Sequence, residues 1–101
     1  MKEIKVNQLE NKNQFLIETK SALYFQSYES VVAKYDKKTH TLFVNEKWDY
    51  SNTTRKHFYI FIYEYCCVSV IEDALYNSKS KRAAIKKLLK EKVIKKSKYL
   101  D

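Results

Sequence analysis

Few residues in this sequence are equipped for chemistry, and their spacing decides what they can do. His57 and Cys66 are the obvious base and nucleophile. Nine helical steps separate them, about 900° of rotation and about 13.5 Å of rise, so a helix puts them on nearly opposite faces. His57 therefore reads as a surface or cap residue at a helix start. Cys66 and Cys67 are adjacent, a spacing that disfavours a disulfide, and no CxxC pattern accompanies them. With only His40 and His57 as imidazoles, no zinc site follows, and the cysteines read as small buried apolar residues in a reducing cytoplasm. Glu46 and Asp49 flank Trp48 without metal-ligand spacing, and Glu72-Asp73 reads as helix surface. No metal, cofactor or catalytic residue is expected, and an enzyme is the least supported class.

One polar stretch remains. Trp48-Asp-Tyr-Ser-Asn-Thr-Thr-Arg-Lys56 places hydroxyls and cations where a helix begins. Its structural reading has Trp48 and Tyr50 on one face of an extended segment, plugging a sheet-to-helix corner. Ser51 then caps the helix, with Thr53 and Thr54 in the first turn. The functional alternative is an anion site at the helix N-terminus, built from Trp48, Tyr50, Ser51, Thr53, Thr54, Arg55 and Lys56.

The elements that must position these residues fit one domain of 101 residues. The chain has Gly 0 and Pro 0, which excludes phosphate loops, dinucleotide fingerprints and nucleophile elbows. Of 20 basic residues only Arg55 and Arg82 are Arg, and Tyr, Asn, Ile and Lys abound, a profile of a low-GC genome. Without glycine, the turns at Asp36, Asn45 and Asn77 are expected to carry any positive φ.

Short apolar runs at Phe15–Ile17, Leu23–Phe25, Val31–Tyr35 and Thr41–Val44 read as strands, with Ile4–Val6 a further strand or a frayed end. Asp36–Thr39 reads as the turn of a hairpin. Phe58, Phe61, Ile62 and Tyr65 have helical spacing, and no turn signal interrupts the chain before Asn77. Ser78 or Ser80 is placed to cap a last helix with Ala84, Ile85, Leu88 and Leu89 as its apolar stripe. Residues 93–100 extend that helix or, the reading preferred here, turn back as a lysine-guarded edge strand. The fold class is α+β: a small N-terminal antiparallel sheet of three to five strands (about 4–45) packed on two C-terminal helices (about 52–76 and 79–92).

The formal net charge of +8 lies almost wholly in the last 24 residues. Lys79, Lys81, Arg82, Lys86, Lys87, Lys90, Lys92, Lys95, Lys96 and Lys98 form a candidate surface for a protein partner or for nucleic acid. No secretion signal follows Met1, and the run Phe58–Ile71 is too short to span a bilayer, so a cytoplasmic chain without membrane contact is expected.

The segments Phe25-Gln-Ser-Tyr-Glu-Ser-Val-Val-Ala-Lys34 and Trp48-Asp-Tyr-Ser-Asn-Thr-Thr-Arg-Lys56 together resemble a pattern of small, mostly uncharacterised phage and mobile-element proteins of low-GC Gram-positive bacteria. The run His57–Tyr76 departs from that pattern, where a short helix is usual. The resemblance implies a non-enzymatic accessory protein that binds and inhibits a host effector protein or ribonucleoprotein, for example an anti-CRISPR inhibitor of a Cas nuclease. Nine Tyr suit such a protein interface. The alternative is sequence-tolerant contact of the basic end with nucleic-acid backbone. A third reading is self-association through Phe58–Tyr65; the sequence leaves the oligomeric state open.

Overall fold

The structure, a computed structural model, describes residues 5–8, 13–66, 68–98 and 100. Alternating apolar residues build β2 (Gln14–Glu18), β3 (Ala22–Ser27), β4 (Ser30–Asp36) and β5 (Thr41–Val44), preceded by β1 (Lys5–Gln8). Each pairs antiparallel with the next. β6 (Lys95–Lys96) closes the order β1-β2-β3-β4-β5-β6 by pairing parallel with β5. A 3-10 turn at Glu46–Asp49 leads into α1 (Asn52–Tyr65), followed by α2 (Ser69–Tyr76) and α3 (Lys81–Lys90). The class is the α+β arrangement expected, with helices after an N-terminal sheet. Ile4 and Cys67, on which expectations fell, lie outside the described residues.

Register explains how the helices sit. Leu16, Phe25, Ala33 and Val44 face one another across β2 to β5, and Leu23, Tyr35 and Leu42 form the next row. All seven are buried in one core with Phe58, Phe61 and Ile62 of α1. Phe61 stacks on Phe25 with ring centroids 5.9 Å apart, and Phe58 packs against Trp48 at 5.8 Å. Each of these fully buried side chains contributes about 1.5–3 kcal/mol of burial. Within the segment considered for self-association, Phe58, Phe61 and Ile62 face this core, while Tyr59 and Ile60 are half-buried and Tyr63 is exposed.

Two expectations are corrected. The single helix over 52–76 is two helices, broken where Cys66 and Val68 adopt extended backbone. One straight helix of that length would run about 37 Å, nearly the longest dimension of a molecule measuring 40 × 29 × 24 Å. The break lets Ile71 and Leu75 return to the core that Phe61 and Ile62 already occupy. Positive φ falls on Tyr28 (57°), His40 (55°) and Lys92 (62°), not on Asp36, Asn45 or Asn77. Asp36 serves its turn differently, accepting from the backbone N–H of Lys38 and Thr39 at 2.9 and 3.2 Å. These two bonds, Thr39 foremost, hold the Asp36 carboxyl below its ordinary range.

Lys92 stands where a glycine usually ends a helix. Its N–H bonds Leu89 O at 3.1 Å, and the N–H of Val93 bonds Leu88 O at 2.9 Å, the double closure of a Schellman end. A side chain at that φ costs about 1–2 kcal/mol, and the closure delivers Ile94 into the core and Lys95 to the edge of the sheet.

Candidate nucleic-acid interface

The polar stretch that begins α1 divides into two surfaces. Asn45 caps the 3-10 turn, accepting from the Lys47 N–H at 2.8 Å. That turn drives Trp48 and Tyr50 apart: Trp48 is buried, while Tyr50 is 73% exposed and meets Tyr28 edge-on at 6.5 Å. The expectation of an extended segment with both rings on one face is therefore overturned. Ser51 caps α1 by accepting from the Thr54 N–H at 3.1 Å. Thr54 is itself buried, and its hydroxyl lies 3.1 Å from Ser51 Oγ and 2.9 Å from Ser27 Oγ. Tyr50, Ser51, Thr53 and Thr54 line a cleft of about 590 Å³ together with Tyr28, Glu29 and Lys47. Its Ser51 and Thr54 hydroxyls are engaged with protein, and Glu29 opposes an anion there.

His57 is buried, not a surface residue as its sequence position suggested. Its Nδ1 faces the Thr53 carbonyl at 3.0 Å and so carries the hydrogen, while Nε2 is buried without a partner. Gln14, opposite Ser27 in the sheet, likewise has both amide atoms buried and unpartnered. Such atoms cost about 1–3 kcal/mol each.

Arg55 and Lys56 serve another surface. Asp49 takes Arg55 Nη1 at 2.8 Å and Arg82 Nη2 at 2.7 Å, so both arginines of the chain converge on one carboxylate. Arg82 Nε also donates to both Asp49 oxygens at 2.8 Å, and Arg55 donates to Asn52 Oδ1. A planar guanidinium makes such forked contacts and an ammonium does not, so these two positions have a structural reason to be Arg in a Lys-rich chain. Hydrogen bonding from Arg82, reinforced by Arg55, holds the Asp49 carboxyl below the ordinary range despite its burial. The same contact raises Arg82. The clasp fixes the start of α3 beside the start of α1. Between them runs a groove of about 490 Å³ lined by Arg55, Lys56, Tyr59, Tyr63 and Lys81. Burial pushes the Tyr59 and Tyr63 hydroxyls upward.

From this groove the basic surface continues along α3. Ser80 caps the helix, accepting from the Ala83 N–H at 3.2 Å. Ala84, Ile85 and Leu88 turn inward, which sends Lys86, Lys87 and Lys90 outward. Lys79, Lys81, Arg82, Lys92, Lys95, Lys96 and Lys98 are also exposed. Of Lys79, Lys81, Arg82, Lys86, Lys87, Lys90, Lys92, Lys95 and Lys96, Arg82 is the one with an ion pair within 4.0 Å among the described residues. The fold thus joins Arg55 and Lys56 to the C-terminal lysines and leaves Tyr50, Ser51, Thr53 and Thr54 at the separate cleft. Asp49 as a clasp was missed in the sequence; the one available signal was the presence of just two arginines.

Among the described residues no group of three His, Cys, Asp or Glu is placed to hold a metal, and no helix is long and apolar enough to cross a membrane. The model of a family of unknown function, DUF8033, matches residues 2–79, from ahead of β1 to just short of α3. No curated protein and no solved structure matches the chain.

Proposed function

The chain belongs to this family of unknown function, and from that premise we propose a non-enzymatic phage or mobile-element accessory protein that grips nucleic-acid backbone. The target is free nucleic acid or the RNA of a host effector ribonucleoprotein. The observation that carries the reading is the set of exposed lysines on α3 and beyond it, Lys86, Lys87, Lys90, Lys92, Lys95 and Lys96, none in an ion pair. Unpaired cations release counterions from phosphates without a desolvated partner to give up, and six such contacts make log K fall with log salt at a slope of roughly −5. The lysines form no helix-in-groove pattern for reading bases, so the binding is sequence-tolerant. Titration of labelled duplex and single-stranded oligonucleotides against salt tests it; absent binding, or an affinity flat in salt, overturns it.

A second reading, inhibition of a host protein such as a Cas nuclease, is favoured by a different observation. Tyr50 and Tyr28 stand exposed and edge-on at the rim of the cleft, and paired tyrosines of this kind anchor protein interfaces. Recovery of one large effector that survives nuclease treatment, with effector activity restored by Tyr50→Ala, supports it. Nuclease-sensitive recovery of mixed partners speaks for the first reading.

A further inference from the structure

On the face of the sheet away from the helices, strand register assembles a row that no single segment contains. Ile17 of β2 faces Tyr24 of β3, Tyr24 faces Lys34 of β4, Lys34 faces Phe43 of β5, and Phe43 faces Lys95 of β6. Aromatic rings and amines alternate along it. Ile17, Tyr24, Lys34 and Phe43 are half-buried and stand outside the hydrophobic core, and Lys95 is exposed. The Lys34 amine lies 5.7 Å from the centre of the Tyr24 ring. Tyr24 and Phe43 are two strands apart, about 10 Å at the usual strand spacing, with an amine between them and another beyond. No carboxylate occupies the row.

From this alternation we propose that the open sheet face is a platform for single-stranded nucleic acid, its bases on Tyr24 and Phe43 and its phosphates at Lys34 and Lys95. The inference rests on the nucleic-acid reading above and adds the class of strand. A single strand offers flat base faces and phosphates in alternation, which matches rings interleaved with amines. A duplex keeps its base faces inside the stack and can use only the amines. A protein partner would need no such alternation of ring and cation.

The test compares an oligothymidine and an oligouridine of about 12 nucleotides with a duplex of equal length, using the full chain. Phe43→Leu and Tyr24→Leu keep an apolar side chain and remove the ring. Each is expected to weaken single-strand binding by about tenfold while duplex affinity stays unchanged; Lys34→Gln weakens both. Phe43→Trp retains binding, and its half-buried indole on the sheet face, unlike Trp48 in the core, is quenched by the oligonucleotide. Tighter binding of the uridine strand, or equal binding of both strands, supports the platform and tells whether the 2′-hydroxyl is touched. If the ring-deleting variants fold and bind single strands as the parent does, or the indole is not quenched, the platform is overturned. The broader reading then stands if Lys86, Lys87 and Lys90 still govern binding. Absence of binding to any of the three probes overturns both.

Discussion

At the corner where the sheet passes into α1, polar side chains mostly bind one another; along α3 and β6 the lysines stand apart. Ser51, Thr54 and Ser27 share hydroxyl contacts, and Asp49 is held by two arginines. Lys86, Lys87, Lys90, Lys95 and Lys96 are exposed and make no ion pair. The first region uses its polarity to fix the chain, so its hydrogen bonds count toward stability. The second contributes little to stability and keeps its charge for whatever approaches. Polar composition alone does not separate the two roles; satisfaction by protein partners does.

The contrast can be broken most severely at Trp48. Trp48→Ala removes the ring that packs on Phe58 and is expected to destabilise the protein by about 3–5 kcal/mol in denaturant titration. A smaller loss would mean the corner collapses around the gap. Next, Asp49→Asn leaves Arg55 and Arg82 without their shared charge, a loss of roughly 2 kcal/mol at neutral pH. Because the folded state depresses this carboxyl, the unfolded chain binds the proton more readily and stability rises with pH through that window. The contribution is complete above the unfolded value near 3.8 and disappears as pH falls through the lower, folded value. Acid unfolding of the parent should therefore show a stability loss below about pH 4 that Asp49→Asn lacks.

Capping gives a finer comparison. Ser51→Ala takes a partner from both the Thr54 N–H and the Thr54 hydroxyl and should cost about 1–2 kcal/mol. Ser80→Ala removes the cap of an exposed helix start and should cost about 0.5–1 kcal/mol. Equal losses would show that the buried hydroxyl row adds nothing to the cap. Last, the triple variant Lys86→Gln, Lys87→Gln, Lys90→Gln should leave stability within about 0.5 kcal/mol of the parent. It should flatten the salt dependence of duplex binding by roughly 2.7 in slope. A destabilised triple variant would erase the distinction between the two regions.

What could be read in the sequence was local. Ser51 and Ser80 stand ahead of helical runs, and Asp36 opens a polar turn between two β-rich segments; the structure uses all three so. The lysine-guarded edge strand was also legible, since exposed Lys on an edge resists further pairing. The break after Tyr65 was not, because Cys66 and Val68 carry no turn chemistry and yield only to the demand of one core for two apolar faces. The turn at Tyr28-Glu29 was equally silent: a tyrosine occupies the left-handed position where a glycine or asparagine would have announced it. Asp49 with Arg82 spans 33 positions, and the ring-and-amine row spans β2 to β6. Periodicity does not reach contacts of that kind.

β6 meets β5 at Phe43 and Lys95, 52 positions apart in the chain, while the other strand pairs are joined by short connections. Closing so long a loop costs about 2 kcal/mol more entropy than closing a hairpin, and a strand of two residues returns few hydrogen bonds for it. The meander β1 to β5 can thus form on neighbouring contacts, with the helices docking next and β6 latching last. The latch should also be the first part to open in the native protein, exposing the Ser97 N–H that bonds Val44 O at 2.8 Å. A strand of nucleic acid resting on Lys95 would hold the latch shut, so binding at the edge would slow amide exchange there before it changed the global melting point.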